Sequence, residues 1–367
     1  MPWVTTPRGH ISAASRKLSI VFDNDFHWYG SVVTEELQRV TITDVARTAG
    51  VSVATVSKVV NGRYGVAAST SERVQEVIAR LGYESSLVAR SLRSRRTNVI
   101  GILVDEFEPF STEILKGASG AIIGSGYELL AYSAGRPSGS DPGWERRSLS
   151  RLAGTLIDGA ILVTPTVVDS GNHVPVVAID PHTGPAGMPT VDSDNLTGAV
   201  LATEHLLDLG HRRIGFLGGR PDLESARLRE QGFRQAMASR GIPVDPDLVR
   251  VGGYRRQSAL DPALGLLSLE DRPTAVFAAN DLPAIATLDA AASLGLDVPD
   301  DLSLVGFDNI PESALTEPPL TTVTQPMQTM GAEAVALLLH LLDGTGDRQT
   351  HIQLPTDLVR RGTTRRL

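Results

Sequence analysis

From position 99 to about 360 the chain alternates short apolar runs with stretches of helical period, and this pattern restricts the fold more than any other feature. The runs lie at 99–104, 128–134, 160–163, 174–179, 214–217, 275–278, 303–307 and 321–323, with helical patterns at 199–209, 227–238, 282–294 and 327–342. Strands separated by helices cannot pair as hairpins; they need parallel sheets covered by helices on both faces. About 260 residues exceed one comfortable sheet, so the pattern predicts two doubly wound α/β lobes with a cleft between them. The Gly-, Ser- and Pro-rich stretch 124–143 reads as a loop, and no strict internal repeat is present.

Upstream the texture changes. Residues 1–38 mix isolated aromatics with polar residues and read as a poorly ordered extension. From Val40 onward short helices with good boundaries follow. Thr41 reads as an N-cap with Asp44 at N3, Ile42, Val45 and Ala46 form an apolar face, and Gly50 ends the helix. Ser52 caps a second helix whose Val56, Val59 and Val60 share one face. Ser69 and Glu72 predict a capping box for a third, with Val74, Val77, Ile78 and Leu81 inward and Gly82 as terminator. Three such helices with a tight turn between the first two make a helix-turn-helix unit. The reading divides the chain into 1–38, a head at 39–84, a linker at 85–97 and a two-lobed body at 98–363.

Charge separates the same regions. The formal net charge is −8, yet residues 40–98 carry nine Lys/Arg against four acids, a net of +5, which leaves −13 on residues 99–367. A basic module on an acidic body suggests a polyanion-binding head. Cysteine is absent, which excludes disulfides, thiolate metal sites and cysteine nucleophiles. No run of about 20 apolar residues could span a membrane, and the first twenty residues lack the compact apolar core of a secretory signal. The sequence contains no phosphate loop, nucleophile elbow or HExxH zinc motif, so no enzyme activity, metal or cofactor is expected. His211, near a helix end, reads as a dipole partner sooner than a metal ligand.

The second helix of the head leaves Val53, Ala54, Ser57, Lys58 and Asn61 pointing outward. In a major groove, small apolar side chains meet thymine methyls and a lysine reaches guanine acceptors. Ser52, Thr55, Ser57 and Asn61 suit phosphate oxygens. The bland alternative is a packing helix inside a larger domain. The stretch VTITDVARTAGVSVATVSKVVN (40–61) resembles the headpiece of LacI/GalR-type bacterial transcription regulators, and the likeness runs on through Tyr83 and VARSL (88–92). The resemblance implies that Thr41 is a further DNA contact and that 87–92 forms a hinge helix on operator binding. Ala89 and Arg90 would then lie in the minor groove, with Leu92 wedged between base steps. Where the family often shows Pro-Asn before the hinge, this chain has Ser85-Ser86.

The body is similar to the same family's effector domain, itself like periplasmic sugar-binding proteins. The likeness rests on the stretches DNLTGAVLATEHLLDLGHRRIGFLGG, SARLREQGF, PTAVFAANDLPA, SLVGFDN and PPLTTVTQP. It implies an effector pocket built from Phe110, Ser111, Asp180, Arg229, Tyr254, Asn280 and Asp308. The plainer readings make Arg229 a surface charge, Tyr254 a core aromatic and Asp180 a turn residue, while Asp281 reads as the cap of the next helix. The resemblance as a whole implies a cytoplasmic, homodimeric regulator, a repressor in that family's usual manner, that binds a palindromic double-stranded operator. A small molecule, a sugar first and a nucleobase or other corepressor second, would set its affinity; a solute-binding protein is the remaining rival.

Overall fold

The computed structural model describes residues 40–60, 62, 64–83, 96–133, 143–166, 174–185, 187–347 and 350–367. They fall into two compact units, Met1–Ser85 and Ser86–Leu367.

The described part of the first unit is three helices, α1 (Ile42–Ala49), α2 (Val53–Val60) and α3 (Ala68–Leu81). Thr41 caps α1 reciprocally: its amide donates to Asp44 Oδ2 at 2.9 Å while the Asp44 amide donates to Thr41 Oγ1 at 3.4 Å. The Thr41 hydroxyl, which donates to Asp44 Oδ2 at 2.6 Å, and the Thr41 amide together hold the Asp44 carboxyl below its ordinary pKa. Gly50 and Gly82 end α1 and α3 in the left-handed conformation. Val45, Ala46, Ala49, Val56, Val74 and Val77 bury a small common core. The capping box expected at Ser69 is not there. The cap position is Ala67, which has no side-chain oxygen to offer, and Ser69 lies inside the first turn, beyond reach of the amides a cap would satisfy.

The second unit contains two six-stranded sheets. The first has the order β11-β5-β4-β3-β1-β2 and is wholly parallel; its strands are β1 (Val99–Val104), β2 (Glu128–Ser133), β3 (Gly159–Val163), β4 (Val176–Ile179), β5 (Thr190–Ser193) and β11 (His351–Leu354). The second, β12-β10-β9-β8-β6-β7, comprises β6 (Ile214–Gly218), β7 (Val249–Val251), β8 (Ala275–Ala278), β9 (Ser303–Asp308), β10 (Thr321–Thr324) and the antiparallel edge strand β12 (Asp357–Val359). Apart from the late edge strand, both follow the same doubly wound order, whose carboxyl-end crevice is where such folds bind ligands.

Strand alternation feeds two helical layers per sheet. Ile100, Ile102 and Val104 of β1 face α4 (Pro109–Ala121) and α10 (Met327–Leu342), whereas Val99 and Leu103 face α5 (Trp144–Leu152). In the second lobe Phe216, Phe277 and Phe307 pack under α6 (Asn195–Asp208) and α7 (Glu224–Ser239), with the Phe216 and Phe233 rings stacked at 5.0 Å. Leu217, Val276 and Leu304 pack on the other side under α8 (Arg256–Leu267) and α9 (Asp281–Ser293). No helix among the described residues is long and apolar enough to cross a membrane.

The chain crosses between lobes three times, after β5, β10 and β11. The crossings bond to one another: Asp194 N donates to Leu354 O at 2.9 Å, and Thr356 Oγ1 to Asp194 O at 3.0 Å.

Several elements depart from the sequence reading. Strand β2 forms where the run 128–134 predicts one, so 124–143 is not loop throughout, and α4, α5, α8 and the strands β5, β7, β11 and β12 are not among the elements the sequence reading names. Helix α8 carries Pro262 in its interior and little amphipathic bias, and the edge strands β7, β11 and β12 are three or four residues long, too short to show a period. Asp281 does not cap α9. Its carboxylate accepts Thr322 Oγ1 at 2.6 Å and Ile310 N at 2.9 Å, tying β10 and the segment after β9 to the start of α9. His211 is buried and bridges Thr274 Oγ1 (2.9 Å) and Arg365 O (3.1 Å); burial lowers its pKa, so it is a neutral hydrogen-bonding bridge and not a charged dipole partner.

Helices α4 and α10 touch through glycine. A methyl on Gly117 would lie 1.8 Å from the Gln328 carbonyl oxygen, and one on Gly331 would lie 2.1 Å from that of Ile114. Gly117→Ala should therefore cost about 1–3 kcal/mol of stability through overpacking, read as a lower denaturant midpoint. Gly120→Ala on the same helix, with nothing within 4 Å of the new methyl, should be neutral or mildly stabilising; equal behaviour of the two variants would contradict the contact.

Candidate DNA-binding face and effector cavity

On α2 the inward Val56 is buried and the opposite face is open. Val53 is 42% exposed, and Ala54, Ser52 and Lys58 are also exposed. Lys58 has no ion-pair partner among the described residues, whereas Thr55 and Ser57 are half-buried. Two of the candidate hydroxyls also serve the fold. Thr41 Oγ1 donates to Asp44 Oδ2 at 2.6 Å, and Ser52 Oγ accepts the Thr55 amide at 3.1 Å. Asn61, Ala89, Arg90 and Leu92 lie outside the described residues. Tyr64, beyond α2, is fully exposed.

In the second unit a cavity of about 410 Å³ opens at the carboxyl ends of both sheets, and its walls bring together all seven effector candidates: Phe110, Ser111, Asp180, Arg229, Tyr254, Asn280 and Asp308. Parallel strands deliver them, since each stands at or just beyond a strand terminus or on the helix that follows. Thr164, Asp180 and Asp308 there adopt φ of 48°, 48° and 110°, a backbone region non-glycine residues seldom visit except where a site demands it.

Arg229 is 3% exposed, which removes the surface-charge alternative. It rises from the first turns of α7 and donates through Nε to Asn195 Oδ1 (2.8 Å) and through Nη1 to the Ala279 carbonyl and Asp308 Oδ1 (3.3 Å). Its guanidinium lies 3.8 Å from the Phe307 ring centroid and 5.6 Å from that of Tyr254. Asp308 also accepts Gln325 Nε2 at 2.6 Å, and Gln325 Oε1 accepts Ser193 Oγ from the first lobe. Burial raises the Asp308 pKa, with Arg229 opposing the rise.

Burial likewise pushes Asp180 up to about 6 against the pull of Arg229, and His182 down to about 4 with help from Arg220. Tyr254 sits tightly against the Gly219 backbone, where a side-chain carbon would fall 2.4 Å from the ring. Asn280 Oδ1 is buried with no hydrogen-bond partner among the described residues, and the buried Tyr254 hydroxyl faces Ser225. Ser111 reaches the wall with its hydroxyl already used: Oγ accepts the Glu108 amide at 2.9 Å and lies 2.9 Å from the Glu106 carbonyl oxygen.

The sequence reading missed Glu106, Glu108, His182, Arg220, Ser225, Arg255 and Gln325 on the same walls. Most follow directly on a strand, and reading every strand terminus as a ligand position would have found them.

Residues 41–86 match the model of the bacterial regulatory proteins of the lacI family, and 203–364 match a periplasmic binding protein-like domain. The chain is 33% identical to the HTH-type transcriptional repressor PurR of Aliivibrio salmonicida over 340 residues, covering 89% of this chain and 99% of that one. The chain belongs to the LacI family. It is a DNA-binding transcriptional regulator of the LacI type, and its relatives are repressors, not enzymes. Among solved structures it superposes on the Lac repressor dimer bound to operator and the anti-inducer ONPF with a TM-score of 0.77 at 29% identity, covering 89% of this chain and 100% of that one. The transcriptional regulator CelR–cellobiose complex gives a TM-score of 0.66 at 32% identity with the same coverages.

Two outcomes follow from the geometry of this LacI-family body. Arg229→Ala leaves the Asp308 carboxyl buried without its counter-charge and should cost about 3–5 kcal/mol in chemical denaturation, with Arg229→Lys recovering only part. A folded-state pKa raised to about 6 for Asp180 means stability that is full below the unfolded value near 4 and is lost as pH rises through 6. Asp180→Asn should remove that slope, so the stability difference between variant and parent grows in the variant's favour from pH 4 to 7. A difference flat across this window would count against the assignment.

Proposed function

We propose that this regulator reads its operator with the exposed face of α2 and takes a sugar as effector in the interlobe cavity. The observation that carries the DNA reading is Val53, open to solvent beside exposed Ala54 and Lys58 on a helix whose other face closes the head's core. A soluble helix gains nothing by exposing that combination unless a second surface covers it. Valine and alanine suit thymine methyl groups, Lys58 suits guanine O6 and N7, and Thr41, Ser52, Thr55, Ser57 and Asn61 offer short polar contacts to phosphates. Ala89, Arg90 and Leu92 would complete the contact in the minor groove.

Two copies reading a palindrome would make the working unit a homodimer, and a cytoplasmic location follows from a DNA target in a bacterial cell. The domain limits 39–84, 85–97 and 98–363 are part of the same proposal. The sugar reading is supported by Asn280 Oδ1, a buried acceptor without a partner among the described residues, which calls for a hydrogen-bond donor on the ligand. The cellobiose bound to the related CelR carries such donors. Ligand binding would favour one lobe arrangement, and the coupling free energy would appear as changed operator affinity.

Lys58→Ala should weaken operator binding by about 1–3 kcal/mol and relax base preference at one position, measured by fluorescence anisotropy on operator fragments selected from genomic DNA. Parental affinity in the variant would refute the recognition face. For the effector, thermal-shift screening of the full chain against sugars and purines separates the two readings, and a response to purines alone would refute the sugar.

A further inference from the structure

The cavity walls carry five carboxylates (Asp105, Glu106, Glu108, Asp180 and Asp308) and three arginines. All three arginines are engaged within the protein. Arg229 is held by Asp308, Asn195 and the Ala279 carbonyl, and Arg220 grips Asp222 through Nε (3.1 Å) and Nη2 (2.5 Å). Arg255 differs from these two. It stands at the start of α8 on the second lobe and reaches across the mouth to the loop after β1 on the first, pairing with Glu106 through Nη2 and with Glu108 Oε1 through Nε at 3.4 Å. Without these acids Arg255 would present a planar cationic fork to the cavity, the usual receptor for phosphate or carboxylate. With them that receptor is filled.

We propose that Glu106 and Glu108 act as a built-in anion mimic on Arg255, so that the cavity admits uncharged, donor-rich ligands and excludes phosphorylated or carboxylated ones. This rests on the effector reading above and narrows its chemical class. A neutral polyol can donate to the buried Asn280 Oδ1 and to the surplus of carboxylate oxygens. A phosphate monoester or uronate brings only acceptors to its charged end, meets a wall with two more negative than positive groups, and must displace an internal carboxylate to find a cation. Because the pair joins the two lobes, the same contact helps hold the mouth closed around a neutral guest.

The test uses inorganic phosphate as a probe that does not depend on knowing the effector. Isothermal titration of the full chain should show no phosphate site in the parent at millimolar concentration. Glu106→Gln with Glu108→Gln should create a site at least tenfold tighter, and adding Arg255→Ala should abolish it. The single Glu106→Gln variant, which leaves one carboxylate on Arg255, should lie between. In a second arm glucose, ribose and cellobiose are compared with glucose 6-phosphate, ribose 5-phosphate and cellobionate. The parent should prefer the neutral member of any pair it binds by at least tenfold, and the double variant should narrow that ratio. Parental binding of phosphate at Arg255, preference for a charged sugar, or no phosphate site in the double variant would overturn the proposal. If the phosphate arm behaves as stated while purines bind and no sugar does, the sugar reading fails and the charge block stands.

Discussion

The structure of the body turns on one buried cation. A guanidinium cannot shed its charge inside a protein, so the fold must supply partners, and those partners are the parts that define the cavity. Arg229 draws Asp308 from the end of β9, the Ala279 carbonyl from beyond β8, and Asn195 from the first turn of α6. Asp308 is shared with Gln325, which is itself shared with Ser193 on β5. A single connected set of hydrogen bonds therefore runs from the cavity floor to two of the three interlobe crossings. Partial satisfaction of such a network is costly, so its members are fixed together.

That network also explains how much of the site could be read from the sequence. Arg229, Asn280 and Asp308 stand in long recognisable stretches, Asp180 follows the apolar run 174–179 and Tyr254 follows Gly252-Gly253, and each lies at or just beyond a strand end or on the helix after it, where an open α/β sheet presents its ligand groups. Glu106, Glu108 and Arg255 were invisible because an acid–base pair between loops about 150 residues apart leaves no local periodicity. Ser111 stands on the cavity wall with its hydroxyl bonded into the loop of Glu106 and Glu108. In the head, Thr41 with Asp44 was legible because a cap is local chemistry, whereas Ser69 with Glu72 satisfies the same pattern two residues too late. Pattern alone does not say where a helix begins; the backbone leaving Ala67 does.

The fold was easier to read than its edges. Central strands of a parallel sheet are buried on both faces and announce themselves as continuous apolar runs, as β1, β3 and β9 do. Edge strands β7, β11 and β12 are short and half-exposed, so their residues carry no such constraint. Helix α4 hides for a related reason. Its closest partner is another helix, and the contact selects Gly117 for close approach where an apolar stripe would have signalled it.

The charge distribution resolves what the net charge obscures. A chain of net −8 would be a poor ligand for DNA if its charge acted as a whole. Fields in water at physiological ionic strength fade over about 8 Å, so a surface responds to the charges near it and not to the sum. The segment 40–98 with its excess of five positive charges is electrostatically its own object, and the acid stored in the remainder is free to serve another end. Part of it lines the cavity, as Asp105, Glu106, Glu108, Asp180 and Asp308. On the reading proposed above, the two signs of charge suit two unlike guests, a polyanion for the basic segment and an uncharged polyol for the acid-lined cavity.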